Sequence, residues 1–272
     1  MNDQSLIYNT VTDLIDLDRY PIQELGSEAA QALIADCQAE LAQTGACVLP
    51  GFVKPEVAGV MVAEVQSLLP QAFENTQKHN VYFKEDDPAL PEGHPARRKV
   101  RTSQKSIAYD LIPQDAGIRQ IYNWAPVREF LAAVLDKEQL YLHGDPLAAL
   151  NIMVMDEGGE LGWHYDRADF VTTILLQKPE AGGVFEFVPN LRTPDDENYS
   201  GLAQLLDGTH PDVVSRGVDA GTLRLFAGHN SIHHVSPVRG KTQRMIAVLS
   251  YKNQPNIVFS QAARTRFYGR AG

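Results

Sequence analysis

Ala148-Ala149-Leu150-Asn151-Ile152-Met153-Val154-Met155 is an apolar run interrupted by a single amide, and the texture of the chain changes where it begins. From here on, short apolar runs alternate with turn signals. The runs are Ala148–Met155, Phe170–Leu176, Gly183–Val188, Gly221–Phe226 and Met245–Tyr251, with Gly182-Gly183, Pro189-Asn190 and Asp207-Gly208 between them. Runs this short, bounded by turn pairs and with little helix between, predict strands. Many such strands predict a sandwich or jelly roll.

Upstream the period is different. Between Ser27 and Gln43 the residues Ala29, Ala32, Leu33, Ala39 and Leu41 recur at helical spacing; Gly45 closes that run, and Ala46–Leu49 reads as a short buried strand. Pro55 opens a second helix containing Val57, Val60, Met61, Val65 and Leu68, and a third is expected from Pro126 to Leu135. The polar, proline-bearing segment from Thr76 to Gln104 holds Arg97, Arg98, Lys99 and Arg101 close together and reads as a linker. Helices first and a β-core after them make an α+β chain. The expected organisation is a helical N-terminal extension and substrate-side linker over residues 1–140, a β-core over 141–255 and a C-terminal tail or lid over 256–272. Together they form one structural domain.

Bulk composition narrows the function. The chain has 272 residues, 44% of them hydrophobic, which is ample for a buried core. A formal charge of −10 argues against a nucleic-acid partner, because phosphate binding wants a basic surface. The two cysteines, Cys37 and Cys47, lack CxxC spacing, make no disulfide framework and fit a reducing compartment. The opening MNDQSLIYNTVTDLIDLDRY has no signal-peptide pattern, and no run approaches the ~18 apolar residues that span a bilayer. A cytoplasmic protein with a small-molecule substrate, no membrane and no nucleic acid is expected, its oligomeric state open.

Chemistry concentrates in two places. In Leu161-Gly162-Trp163-His164-Tyr165-Asp166, a strand would turn His164 and Asp166 to one face, where an imidazole and a carboxylate chelate a divalent metal. A third ligand has to come from far along the chain. His229, His233 and His234 offer themselves in Gly228-His229-Asn230-Ser231-Ile232-His233-His234-Val235-Ser236-Pro237-Val238. Two imidazoles and one carboxylate on one face leave three positions open on an octahedral ion, the facial triad of non-haem Fe(II) sites.

On these residues the chain resembles the Fe(II)/2-oxoglutarate oxygenase superfamily. Its signature is HxD, then a distal His in an H-x-V-x-P-V-like context, then an Arg about ten residues on. That pattern falls on His164, Asp166, His233 and Arg244. The resemblance implies a double-stranded β-helix with iron at one open end, and it selects His233 by the count back from Pro237. It also implies Fe(II), 2-oxoglutarate and O2 as reaction partners, with Arg244 on the distal carboxylate of 2-oxoglutarate; Arg224, in the preceding strand, is its rival. A closer likeness rests on Gly162-Trp163-His164, Leu175-Leu176-Gln177, Gly182 to Pro189, Asp195 to Tyr199 and Arg266 to Arg270. These are similar to the lysine-type radical halogenases of free amino acids. Those enzymes have a small residue where this chain has Asp166, so the resemblance implies the hydroxylating branch.

Further expectations concern the small ligands. Asn151 is expected to reach the cosubstrate. The resemblance places a substrate-carboxylate arginine at Arg101, while Asp145 is a candidate for a substrate ammonium and Phe267 and Tyr268 for a C-terminal lid or aromatic wall. His234 is expected off the ligand face, and His79, His94, His143, His210 and His229 as ordinary loop histidines. The same iron site could end in desaturation or cyclisation. Two other classes stay open: a zinc hydrolase and a ligand-binding jelly roll without turnover.

Overall fold

A computed structural model describes Tyr8 and residues 10–272. Residues 1–7 and Asn9, which belong to the stretch read as lacking a signal-peptide pattern, lie outside the described residues. Eleven strands carry the architecture: β1 (Ala46–Leu49), β2 (Phe73–His79), β3 (Val100–Ile107), β4 (Leu150–Met155), β5 (Leu161–His164), β6 (Val171–Gln177), β7 (Phe185–Val188), β8 (Val214–Arg216), β9 (Leu223–Phe226), β10 (Ile232–Val235) and β11 (Arg244–Leu249). They form a seven-stranded sheet, β1-β9-β6-β11-β4-β3-β2, facing a four-stranded sheet, β8-β7-β10-β5. Every pairing is antiparallel. From β4 onward the chain passes between the two sheets, which is the jelly roll expected from the turn-rich half of the sequence.

In the N-terminal half, β1 is the strand expected at Ala46–Leu49, while β2 and β3 reach into the segment read as a linker. β1 joins one edge of the large sheet through β9, and β3 joins the other through β4, with β2 beyond it. Three strands that precede residue 140 therefore belong to the large sheet of the core. The polar 76–104 segment hid β2 and β3 because each strand buries one side only. Asn75, His79, Thr102 and Ser106 are its inward residues, and they are polar, so no apolar alternation marked them.

The helices form where the spacing predicted. Ser27 caps Glu28–Thr44 by accepting from the Ala30 N–H, and Gly45 ends that helix at φ +76°. Pro55 starts Pro55–Leu68, and a third helix spans Ala125–Val134. Ile34, Met61, Val65, Phe130 and Leu131 from these helices join Ile174, Leu223, Leu225, Met245 and Ala247 of the large sheet in one core. Because strand side chains alternate, the intervening residues Thr173, Arg224, Arg244 and Ile246 face the space between the sheets. One sheet face is thus apolar and helix-covered, while the other is freed for chemistry. Four α-helices of the described residues went unread: Val11–Leu14, Gly117–Asn123, Tyr199–Leu206 and the C-terminal Gln261–Tyr268. No helix of the described residues is long and apolar enough to cross a membrane.

Phe130 is 1% exposed, so Phe130→Ala is expected to cost about 3–5 kcal/mol in urea unfolding. Val258→Ala, at a residue 53% exposed, should stay within about 0.5 kcal/mol in the same assay.

Candidate metal centre

The pairing of β5 with β10 sets His164 directly opposite His233, with ring centroids 4.1 Å apart. Asp166 joins them by a different route from the one expected. β5 ends at His164, so strand alternation does not aim the carboxylate. Instead the loop that follows is pinned by two backbone bonds, Tyr165 N–H to the Val81 carbonyl and Asp166 N–H to the Gly228 carbonyl. His164 Nε2 then lies 3.7 Å from Asp166 Oδ1, and His233 Nε2 lies 3.4 Å from Asp166 Oδ2. One donor atom from each of the three falls within 4.8 Å of the others.

The residues around the triad prepare it for a cation. His164 Nδ1 is 2.9 Å from the Gly162 carbonyl, and His233 Nδ1 is 3.0 Å from the Ser231 carbonyl. A carbonyl only accepts, so each ring carries its proton on Nδ1 and turns the Nε2 lone pair to the centre. Burial lowers the His164 pKa to about 3, with the neighbouring His233 adding to it, and burial lowers His233 to about 4. Both are neutral ligands near pH 7. Asp166 Oδ2 is buried without a hydrogen-bond partner, and burial raises its pKa. An orphaned carboxylate oxygen facing two imidazole lone pairs lacks a positive charge, and this donor set fits Fe(II).

The other two histidines of the distal motif are accounted for. His234 turns to the outer face, stacks on Trp163 at 3.8 Å and pairs with Glu186 at 2.7 Å, as expected for a residue off the ligand face. His229 stays outside the triad. His79, read as a loop histidine, lies on β2, buried, with Nε2 2.7 Å from Thr102 Oγ1.

Two arginines face the space between the sheets. Arg244 is 3% exposed; its Nε donates to the Gly183 carbonyl at 3.0 Å, and burial, with the charge of Arg224 beside it, lowers its pKa to about 9. Arg224 is 5% exposed, lies 4.2 Å over the Phe185 ring and donates from Nη2 to the Arg216 carbonyl. No carboxylate of the described residues pairs with either. Asn151 shares their face through the register Arg224–Thr173–Val248–Asn151, and its Oδ1 is buried without a partner.

The remaining expected residues sit elsewhere. Arg101 faces outward, because its neighbour Thr102 on β3 faces in, and it is engaged by Glu160 at 2.7 Å and the Gly158 carbonyl. Asp145 is fully occupied. It accepts from the backbone N–H groups of Leu147, Ala148 and Phe259 and from Arg264 Nε, so it fastens the C-terminal tail and has nothing left for a ligand ammonium. Tyr268 is buried with Ala108, Leu147 and Ala148. Phe267 packs on Phe83 at 6.5 Å, and Phe83 meets His164 edge-on at 5.4 Å.

Phe83 and Gly228 are site residues the sequence reading missed. Phe83 lies in a polar loop with nothing to mark it. Gly228 was visible as part of the distal motif, but its role is spatial: a Cβ there would overlap the Asp166 carboxylate.

The halogenase D family model matches residues 29–266 of this chain. No curated protein sequence matches it. Among solved structures, a 2OG-Fe(II) oxygenase family oxidoreductase from Burkholderia pseudomallei is 18% identical, with a TM-score of 0.51, over 81% of this chain and 91% of that one. SnoN, a non-haem alpha-ketoglutarate-dependent epimerase from nogalamycin biosynthesis, is 14% identical with a TM-score of 0.57, over 82% and 83%. AviO1 from Streptomyces viridochromogenes Tue57 is 17% identical with a TM-score of 0.55, over 82% and 96%. At such identities these likenesses bear on the fold, which is the jelly roll of the 2OG-Fe(II) oxygenases.

Gly228→Ala should weaken Fe(II) binding about 10–100-fold in anaerobic titration, with the circular dichroism of the fold retained. The buried imidazoles also set a pH dependence in the metal-free protein. His143, His164 and His233 are lowered to about 4, 3 and 4, below their unfolded value of 6.5. The unfolded chain then binds more protons as the pH falls below about 6.5. Stability present above that value should drain away toward about pH 4, read as a falling Tm.

Proposed function

This chain belongs to the halogenase D family and is an Fe(II)/2-oxoglutarate-dependent oxygenase, and we propose that it hydroxylates an unactivated C–H bond of a free amino acid or a similar small polar metabolite. The observation that carries this reading is the carboxylate at position 166, directed at the two Nε2 atoms. In the lysine-type halogenases that the sequence resembles, a small residue there leaves room for chloride. Asp166 fills that room, and hydroxyl transfer is the outcome it favours.

In this reading His164, Asp166 and His233 hold the iron. The bound iron supplies the oxidising power, using O2 and the decarboxylation of 2-oxoglutarate to succinate to convert C–H to C–OH. The protein's own work is positioning and exclusion of water. Arg244 offers its guanidinium fork to the distal carboxylate of 2-oxoglutarate, the planar two-point contact that arginine makes better than lysine. The Asn151 amide lies on the same face, within the reach of a cosubstrate held there. Phe185 and Phe226 flank His233 at 5.5 and 4.8 Å, and Phe83 covers His164, so the ligand side of the centre is walled by rings. Phe267 brings the C-terminal helix onto Phe83, while Tyr268 anchors that helix among Ala108, Leu147 and Ala148.

Loaded anaerobically with Fe(II), the protein should develop a weak visible absorption band when 2-oxoglutarate is added. Its absence at full iron occupancy would remove the oxygenase reading. Arg244→Ala should raise the KM for 2-oxoglutarate about 10–100-fold, the loss of a charge-assisted pair, as measured by succinate release.

A further inference from the structure

Two guanidinium groups that the reading above does not use lie next to Phe83, the ring that meets His164. Arg167 follows the triad carboxylate by one residue, and Arg266 lies on the C-terminal helix Gln261–Tyr268. Both point at one oxygen. The main-chain carbonyl of Phe83 accepts from Arg167 Nη2 at 3.4 Å and from Arg266 Nη1 at 3.2 Å. The Arg266 guanidinium also sits 5.0 Å over the Phe83 ring, the same ring that meets His164. Two positive groups therefore converge one aromatic ring away from a triad histidine.

Neither has an acidic partner among the described residues, in a chain where 34 acids outnumber 24 Lys and Arg. Other arginines do find acids: Arg101 pairs with Glu160, Arg264 with Asp145 and Arg270 with Asp110. Arg266 is instead held by neutral acceptors, Gln77 Oε1 at 3.0 Å and the Phe83 carbonyl. Like charges at this range repel, and a carbonyl oxygen with its partial charge offsets little of that. Burial and then the nearby Arg167 lower the pKa of Arg266. Phe83 itself is at φ +52°, a left-handed conformation that a bulky residue keeps only when its surroundings hold it there. The repulsion and the missing counter-ion are both answered by an anionic oxygen group set between the two forks.

We propose that Arg167 and Arg266 together receive a carboxylate of the substrate beside Phe83, with the Phe83 carbonyl marking where its oxygen docks. The proposal deepens the hydroxylase reading and rests on it. The substrate class becomes carboxylate-bearing small molecules, bound with the carboxylate beside Phe83 and the oxidised carbon toward the iron. An ammonium group would be repelled from this position. It also moves the anion receptor away from Arg101, whose guanidinium is already taken by Glu160.

The iron-loaded enzyme with 2-oxoglutarate is offered the proteinogenic amino acids as free acids, and each again as its amide, including asparagine and glutamine against aspartate and glutamate. Succinate release coupled to a +16 mass product is followed. At least one free acid should be oxidised, and masking its carboxylate as the amide should lower kcat/KM by about tenfold or more. For that acid, Arg167→Ala and Arg266→Ala should each raise KM about 10–100-fold, with Arg266→Lys recovering part of the loss. Arg101→Ala should change KM by less than about twofold. Arg167 is exposed, so its variant keeps the test open should Arg266→Ala fail to fold. Amides oxidised as well as acids, an unmoved KM in the folded arginine variants, or no free acid oxidised while the iron–2-oxoglutarate band is present would each overturn the proposal. A missing band would sink the oxygenase reading beneath it instead.

Discussion

The antiparallel register between β5 and β10 is the constraint on which the site depends. It brings two histidines separated by 69 residues in sequence into a directly opposed pair, and backbone hydrogen bonds hold them there. A slip of β10 by one residue would turn His233 to the outer face, where Trp163 and His234 now stack. The small sheet is therefore two surfaces in one. Its outward residues make an ordinary aromatic and ion-paired exterior, and its inward residues make a ligand field.

Packing of the large sheet protects that register. Helices cover one face with an apolar core, so the other face can carry Arg224, Arg244 and Asn151 without being asked to hold the fold together. Burying a guanidinium without an acid costs roughly several kcal/mol per ion. A chain that buries two of them, and an unpartnered Asp166 oxygen as well, is stabilised elsewhere. The Asp166 oxygen and the two arginines are buried polar groups of opposite sign that do not pair with each other among the described residues.

The C-terminal tail closes the arrangement. Asp145 binds it through the Phe259 N–H and Arg264, so the helix that follows reaches back over β2 and brings Arg266 and Phe267 onto Phe83. The sequence marked Asp145 as a ligand for a substrate because an acid before a core strand is chemically conspicuous. Its four donors come from positions 147, 148, 259 and 264, and the two distant ones could not be seen along the chain. Arg101 misleads in the same way. Strand parity sends Thr102 inward and Arg101 out, onto Glu160.

The sequence by itself determined the local terms: the helices beginning at Ser27, Pro55 and Pro126, the turn-rich strands from Ala148 on, and the identity of the donor types in the His164, Asp166 and His233 motifs. These follow from periodicity and from what each side chain can coordinate, properties a residue carries wherever it is placed. Tertiary structure decided which surfaces meet. It made strands of a polar linker, set Gly228 against the Asp166 carboxylate, and turned Arg167 and Arg266 onto one carbonyl. Such contacts join residues far apart in the chain, and their free energy depends on distance and burial that exist only once both sheets have closed.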